Sequence, residues 1–206
     1  MLARVHALAD KLIYDVAMAR YLAATLPKNG LERKIPGGWT VRQLIGHLGD
    51  AQARYAAALA NVLAGEPPFP GGFDPERQNS AAAPAFASAR LPALLESLDQ
   101  TRSSLLDLMG SFSPAQLEMP FSHGLSLIEA LGAWSGHIEG HALDVIDAVP
   151  ELGRDPMVLN WVLYADYTAD PGRLVRQQRL LEAVREHFGE DAPGAGDEDF
   201  EDEEES

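Results

Sequence analysis

Apolar residues in this chain recur at helical spacing almost from end to end, and no other feature restricts its fold as much. Leu2, Val5, Leu8, Leu12, Val16 and Leu22 follow one another at steps of three, four or six. They mark one face of a long first helix that ends between residues 27 and 30. Pro36-Gly37-Gly38 punctuates the loop that follows. Thr40 and Gln43 form a capping-box pattern opening a second helix, which runs through Leu44, Leu48, Tyr55 and Leu59 to about Ala64. Gly65 is its stop. Prolines 67, 68 and 70 make a long loop, and the alanine-rich stretch 80–89 is compatible with loop or helix.

A third helix begins at Leu91-Pro92 and ends at Gly110. Ser113 opens one short turn, and Ser126 with Glu129 caps a fourth helix that reaches Val149-Pro150. Asp155-Pro156 and Asp170-Pro171 each open a shorter helix, the second stopping at Gly189. Four long amphipathic helices must bury their stripes against one another. The expected fold is therefore all-α: a four-helix bundle over residues 1–150 and a helical extension over 151–189. Residues 190–206 have too little apolar surface to fold and are expected to form a disordered acidic tail.

Charge and composition exclude several functions. The net charge is −15, but ten of the 31 acidic residues lie in 190–206, which has no basic residue. Residues 1–189 thus carry 21 acidic against 16 basic residues, a net of −5. Neither part has the basic excess that neutralises phosphates, so nucleic acid is not an expected partner. The chain has no cysteine, which removes disulfides, thiolate zinc sites, iron–sulfur clusters and cysteine nucleophiles. It has no long uncharged apolar run, and Asp10, Lys11, Asp15 and Arg20 interrupt the N-terminal one. Neither a membrane span nor a signal peptide is expected, and the default location is the cytoplasm. No glycine-rich phosphate loop, dinucleotide fingerprint or nucleophile elbow is present.

The chemistry concentrates in the histidines. His137 and His141 are four apart, so they share one helix face about 6 Å apart along the axis. Steps of three and four carry the apolar seam from Trp134 through both imidazoles to Val145, which turns them to the bundle interior. His47 meets the pair if the second and fourth helices are neighbours. Three converging imidazoles bind a divalent metal and leave a position open for water or substrate. Read alone, the same residues also fit hydrogen-bonded core histidines. In His137-Ile138-Glu139-Gly140-His141 the acid lies two residues after the first histidine, about 200° around the helix, which rejects a zinc-protease motif and predicts a solvated Glu139. His6, His123 and His187 read as surface or loop residues.

Trp39-Thr40-Val41-Arg42-Gln43-Leu44-Ile45-Gly46-His47-Leu48-Gly49-Asp50 resembles the helix-two signature of the DinB-like (damage-inducible B) superfamily. His137-x-x-x-His141 resembles its second signature, and the similarity spans roughly residues 2–148. The resemblance implies a bundle with an unusual helix order and a divalent metal held by His47, His137 and His141. The metals to expect are zinc or nickel, with iron or manganese as further candidates. Members are commonly dimers, so a homodimer is expected. Relatives include maleylpyruvate isomerases and S-transferases that use a low-molecular-weight thiol such as mycothiol or bacillithiol. Many relatives carry glutamine three residues after the last histidine, where this chain has Asp144, which either orients His141 or faces solvent.

These readings define a metal-dependent enzyme that transfers or adds a thiol, or isomerises with its help, on an unidentified substrate. The alternative is a non-catalytic helical scaffold whose histidines pack or hold a vestigial site. Asp50 is a candidate to hold the free N–H of His47, although pairing with Arg54 at i+4 accounts for it as well. Trp39 and Trp134 either wall a pocket or pack in the core.

Overall fold

The computed structural model describes residues 2–122, 124–167 and 170–188. The first helix, α1, spans Leu2–Thr25 and buries Val5, Leu12, Val16 and Leu22, the stripe read from its spacing. α2 spans Val41–Leu63 and opens on the expected capping box. The Gln43 amide donates to the Thr40 hydroxyl at 3.2 Å, while the Thr40 amide donates to the Gln43 side-chain oxygen at 2.9 Å. Both groups would otherwise be orphan donors of the first turn.

The alanine-rich stretch proves to be the end of a helix, α3, spanning Pro75–Ser88. Asp74 caps it by accepting from the amides of Glu76 and Arg77, and Pro75 has no amide to satisfy. α3 lies on α2, where Phe86 sits directly over Gly46, in space that any side-chain carbon at residue 46 would occupy. α4 spans Leu91–Met109, and the short α5 spans Pro114–Leu117. A two-stranded antiparallel hairpin follows, β1 (Pro120–Ser122) and β2 (Leu125–Ser126).

The single fourth helix expected from Ser126 is two segments, α6 (Leu127–Ser135) and α7 (His137–Ala148). The break falls at Gly136, whose φ of −80° and ψ of −5° depart from regular helix for one residue. Glycine is the ordinary residue most easily drawn out of a helix, yet the Gly136 amide still reaches the Gly132 carbonyl at 3.2 Å. The two segments together serve as one corner of the bundle.

Packing sets the helix order. α1 touches α4, α6 and α7, and α2 touches α4 and α7. α1 and α2 therefore occupy opposite corners, and α7 leans on both. Leu12, Leu44, Leu98, Leu131, Ile138 and Leu143 fill the space between, each at most 2% exposed. Full burial of such a side chain contributes roughly 1.5–3 kcal/mol.

The chain beyond α7 makes a 3₁₀ turn, Pro150–Arg154, then α8 (Pro156–Leu163) and α9 (Pro171–Phe188). These elements cover the faces of α1 and α7 that the bundle leaves open. The Trp161 indole donates to the buried Asp15 at 2.9 Å, and the Tyr167 hydroxyl donates to the Glu139 carbonyl at 2.8 Å. This cover corrects one expectation: Glu139 is buried, not solvated. It does sit on the face of α7 away from His137, but α1 and α8 occupy that face, and Lys11 pairs with both Glu139 and Asp15. Burial raises the pKa of both carboxyls, against the opposing pull of Lys11.

Among the described residues, no helix is long and apolar enough to cross a membrane. The acidic tail, the stop at Gly189, His123 and the side chain of His187 lie outside the described residues.

Candidate metal centre

α2 carries His47 in its second turn, and α7 begins with His137 and presents His141 one turn later. Contact between α2 and α7 brings the three rings together. Their centroids are 5.2 Å apart for His47 and His137, 5.5 Å for His47 and His141, and 4.8 Å for His137 and His141. One nitrogen of each lies within 4.8 Å of the others. His47 is 5% exposed, while His137 and His141 are half-buried. The rings point inward as expected, but into a cavity rather than a filled core.

The donor set suits a divalent ion. Nε2 of His47 and Nε2 of His137 are 3.1 Å apart. Two imidazole nitrogens on one ion at about 2.0–2.1 Å stand about 3 to 3.4 Å apart, so the observed spacing matches shared ligation. Nδ1 of His47 is buried and has no hydrogen-bond partner among the described residues. An ion on Nε2 leaves the ring proton on Nδ1, so this buried atom calls for a water rather than for the ion.

Electrostatics keep two of the rings, His47 and His137, in the form that binds metal. Burial, then the neighbouring His141 and Arg54, bring the His47 pKa down to about 4. Burial and the other two histidines push His137 well below the usual range as well. Both are neutral at pH 7, so no proton need be displaced before ligation.

His141 is oriented from behind. Its Nδ1 lies 2.8 Å from Oδ2 of Asp144, which leaves Nε2 for the cavity. Oδ1 of Asp144 accepts from Arg176 of α9 at 3.0 Å. Burial alone would raise the Asp144 pKa, but hydrogen bonds from His141 and Arg176 outweigh it and hold the carboxyl ionised. A carboxylate behind a ligating histidine fixes the tautomer and increases the basicity of the ring. Of the two readings of Asp144, the structure shows the orienting one.

The rings open onto a cavity of about 360 Å³ walled by Trp39, Tyr55, Phe69 and Phe73. Trp39 stands edge-on to His47 with centroids 5.3 Å apart, so it is a wall residue. Trp134 instead stacks on Tyr55 at 4.3 Å and supports that wall. Asp50 pairs with Arg54 at 2.5 Å and does not serve His47. His6 is exposed and lines neither the cavity nor the histidine group.

Sequence reasoning passed over two polar wall residues, Arg54 and Asn79. Arg54 follows His47 by seven positions, two helical turns, so its place on the same face was available from spacing. Asn79 needed α3, whose Asp74-Pro75 start is the same signal that marks α8 and α9.

Fold and site together define an all-α bundle with a three-histidine group that could hold a metal ion. The chain belongs to the DinB superfamily: the model of that family matches residues 14–145, which include all three histidines. The match stops before α8 and α9. No curated protein and no solved structure matches the chain significantly.

Proposed function

We propose that His47, His137 and His141 bind a divalent metal, zinc or nickel ahead of iron or manganese, and that the protein is a metal-dependent enzyme of the thiol-dependent transferase or isomerase type. The observation that carries this reading is the 3.1 Å approach of two neutral Nε2 atoms, with a nitrogen of the third histidine within 4.8 Å, at the end of a cavity large enough for a small substrate. A bound divalent ion supplies Lewis acidity, which lowers the pKa of a thiol or water and yields a nucleophile at neutral pH.

The chain's own residues prepare the rest. Asp144 holds the His141 ring, and Arg176 holds Asp144. Trp39, Phe69 and Phe73 limit water around the reacting groups. Burial raises the Tyr55 pKa, so its hydroxyl remains a proton donor at the cavity wall. The superfamily resemblance supports a homodimer, a small-molecule substrate and a low-molecular-weight thiol as co-substrate. A cysteine-free chain is compatible with a reducing cytoplasm. We further take residues 1–150 as the superfamily unit and 151–189 as its extension; the family match over residues 14–145 supports this division.

The test begins with protein purified without a nickel column. Metal analysis is expected to find one divalent ion per chain in the wild type and little in His137→Ala. The loaded protein is then expected to accelerate displacement of chloride from 1-chloro-2,4-dinitrobenzene by a small thiolate, and chelator to abolish the effect. Unchanged metal content in His137→Ala overturns the ligand set. A melting temperature indifferent to chelator and metal favours the scaffold reading, because a ligand of the native state must stabilise it by mass action.

A further inference from the structure

Arg54 places a fixed positive charge in the wall of a cavity that already holds three candidate metal ligands. It disfavours protonation of His47 and His137, and by the same law it repels a divalent ion. The metal site therefore does not account for it. Among the described residues lining the cavity, Arg54 is the only lysine or arginine.

Its guanidinium is held in place from two helices. Nη1 donates to Asp50 of α2 at 2.5 Å, and Nη2 donates to Asn79 of α3 at 2.6 Å. The side chain is 20% exposed. A guanidinium has five N–H groups, and these two bonds leave three for a ligand. Asp50 offsets part of the charge, so the remaining attraction matches a single negative charge better than a phosphate dianion. The fork geometry suits a carboxylate. Much of the remaining wall is aromatic: Phe69 and Phe73, which stack on each other at 4.6 Å, line it together with Trp39 and Tyr55, while the carboxylate of Asp144 lies on the side of the histidines. Such faces pack a planar body closely.

We propose that the cavity binds a small organic monocarboxylate with a planar unsaturated or aromatic body. Its carboxylate lies on Arg54 and its far end is directed to the three histidines. The inference rests on the reading of this cavity as a reaction site, but the Arg54 contact does not require the ion.

Cinnamate, its neutral isostere cinnamamide, and phenyl phosphate are the probes, titrated calorimetrically into the full chain with chelator present, so that no ion can capture the anions. Wild-type protein is expected to bind cinnamate at least tenfold more tightly than cinnamamide and more tightly than phenyl phosphate. Added salt should weaken cinnamate and leave cinnamamide unchanged. Arg54→Gln is expected to abolish the preference while cinnamamide still binds, and Arg54→Lys to keep part of it. A merely structural arginine would lower both affinities together. Equal binding of cinnamate and cinnamamide by the wild type overturns the proposal, as does a preference that survives Arg54→Gln or a failure of both to bind at millimolar concentration. Tighter binding of phenyl phosphate overturns the carboxylate assignment. The wild-type comparison decides the matter even if Arg54→Gln does not fold. Loss of metal uptake with the cinnamate preference intact overturns the metal reading alone, and the reverse overturns this one alone.

Discussion

Nδ1 of His141 lies 2.8 Å from Oδ2 of Asp144, less than one turn along α7. The carboxylate thereby settles which nitrogen of the ring faces the cavity. Asp144→Asn keeps the shape but removes the charge, and is expected to weaken metal binding about 10- to 100-fold. Competition against a chromophoric chelator measures this. An unchanged affinity would show that Asp144 serves only its pairing with Arg176.

Acid is expected to destabilise the metal-free protein through His47. Its pKa is about 4 when folded, against about 6.5 when unfolded. Above pH 6.5 the ring is neutral in both states and contributes no pH dependence. Between 6.5 and 4 only the unfolded chain takes up the proton, so stability falls as pH falls, by up to about 1.4 kcal/mol per pH unit for one such ring. Urea denaturation of wild type and His47→Gln at pH 7 and pH 5 isolates the effect. The variant should lose less stability between the two pH values, and equal losses would contradict the assignment.

Lys11 neutralises two buried carboxylates, Asp15 and Glu139. Lys11→Met leaves both without their cation and is expected to cost about 3–5 kcal/mol at pH 7. Their pKa values, already raised, would rise further. A carboxyl with a raised folded-state pKa contributes stability that is lost as pH climbs through that value, so the defect should shrink in mild acid. Denaturant titrations at pH 7 and pH 5 check the sign, and a defect independent of pH would speak against it.

Gly46 gives Phe86 its seat on α2. Gly46→Ala is expected to displace that ring and cost about 1–3 kcal/mol, the usual range for overpacking. Since α3 also carries Asn79, the change should disturb the hold on Arg54 as well. Adding Phe86→Leu should recover part of the loss in thermal denaturation, and simple additivity of the two changes would argue against a direct clash.

Features encoded by neighbouring residues were legible in the chain. The capping boxes at Thr40–Gln43 and Ser126–Glu129, and the aspartate–proline starts of α8 and α9, need only a few adjacent side chains. The stripe of α1 and the shared face of His137 and His141 follow from helical periodicity. What escaped depends on distant segments. α3 buries little beyond Ala83, so it has no stripe to read, and its position on α2 depends on the gap at Gly46. The angle between Glu139 and His137 was correct, yet its burial depends on how elements more than a hundred residues apart close over it. Spacing also could not show that α7 starts afresh at His137, because Gly136 keeps one helical hydrogen bond across the break.

Arg176 belongs to α9, outside the segment that matches the superfamily, yet it grips the carboxylate behind His141. Two chains with the same three histidines but different C-terminal helices would then hold the same ion with unequal strength. Under the proposed ligation, affinity is retuned from an appendage, with every ligand left untouched.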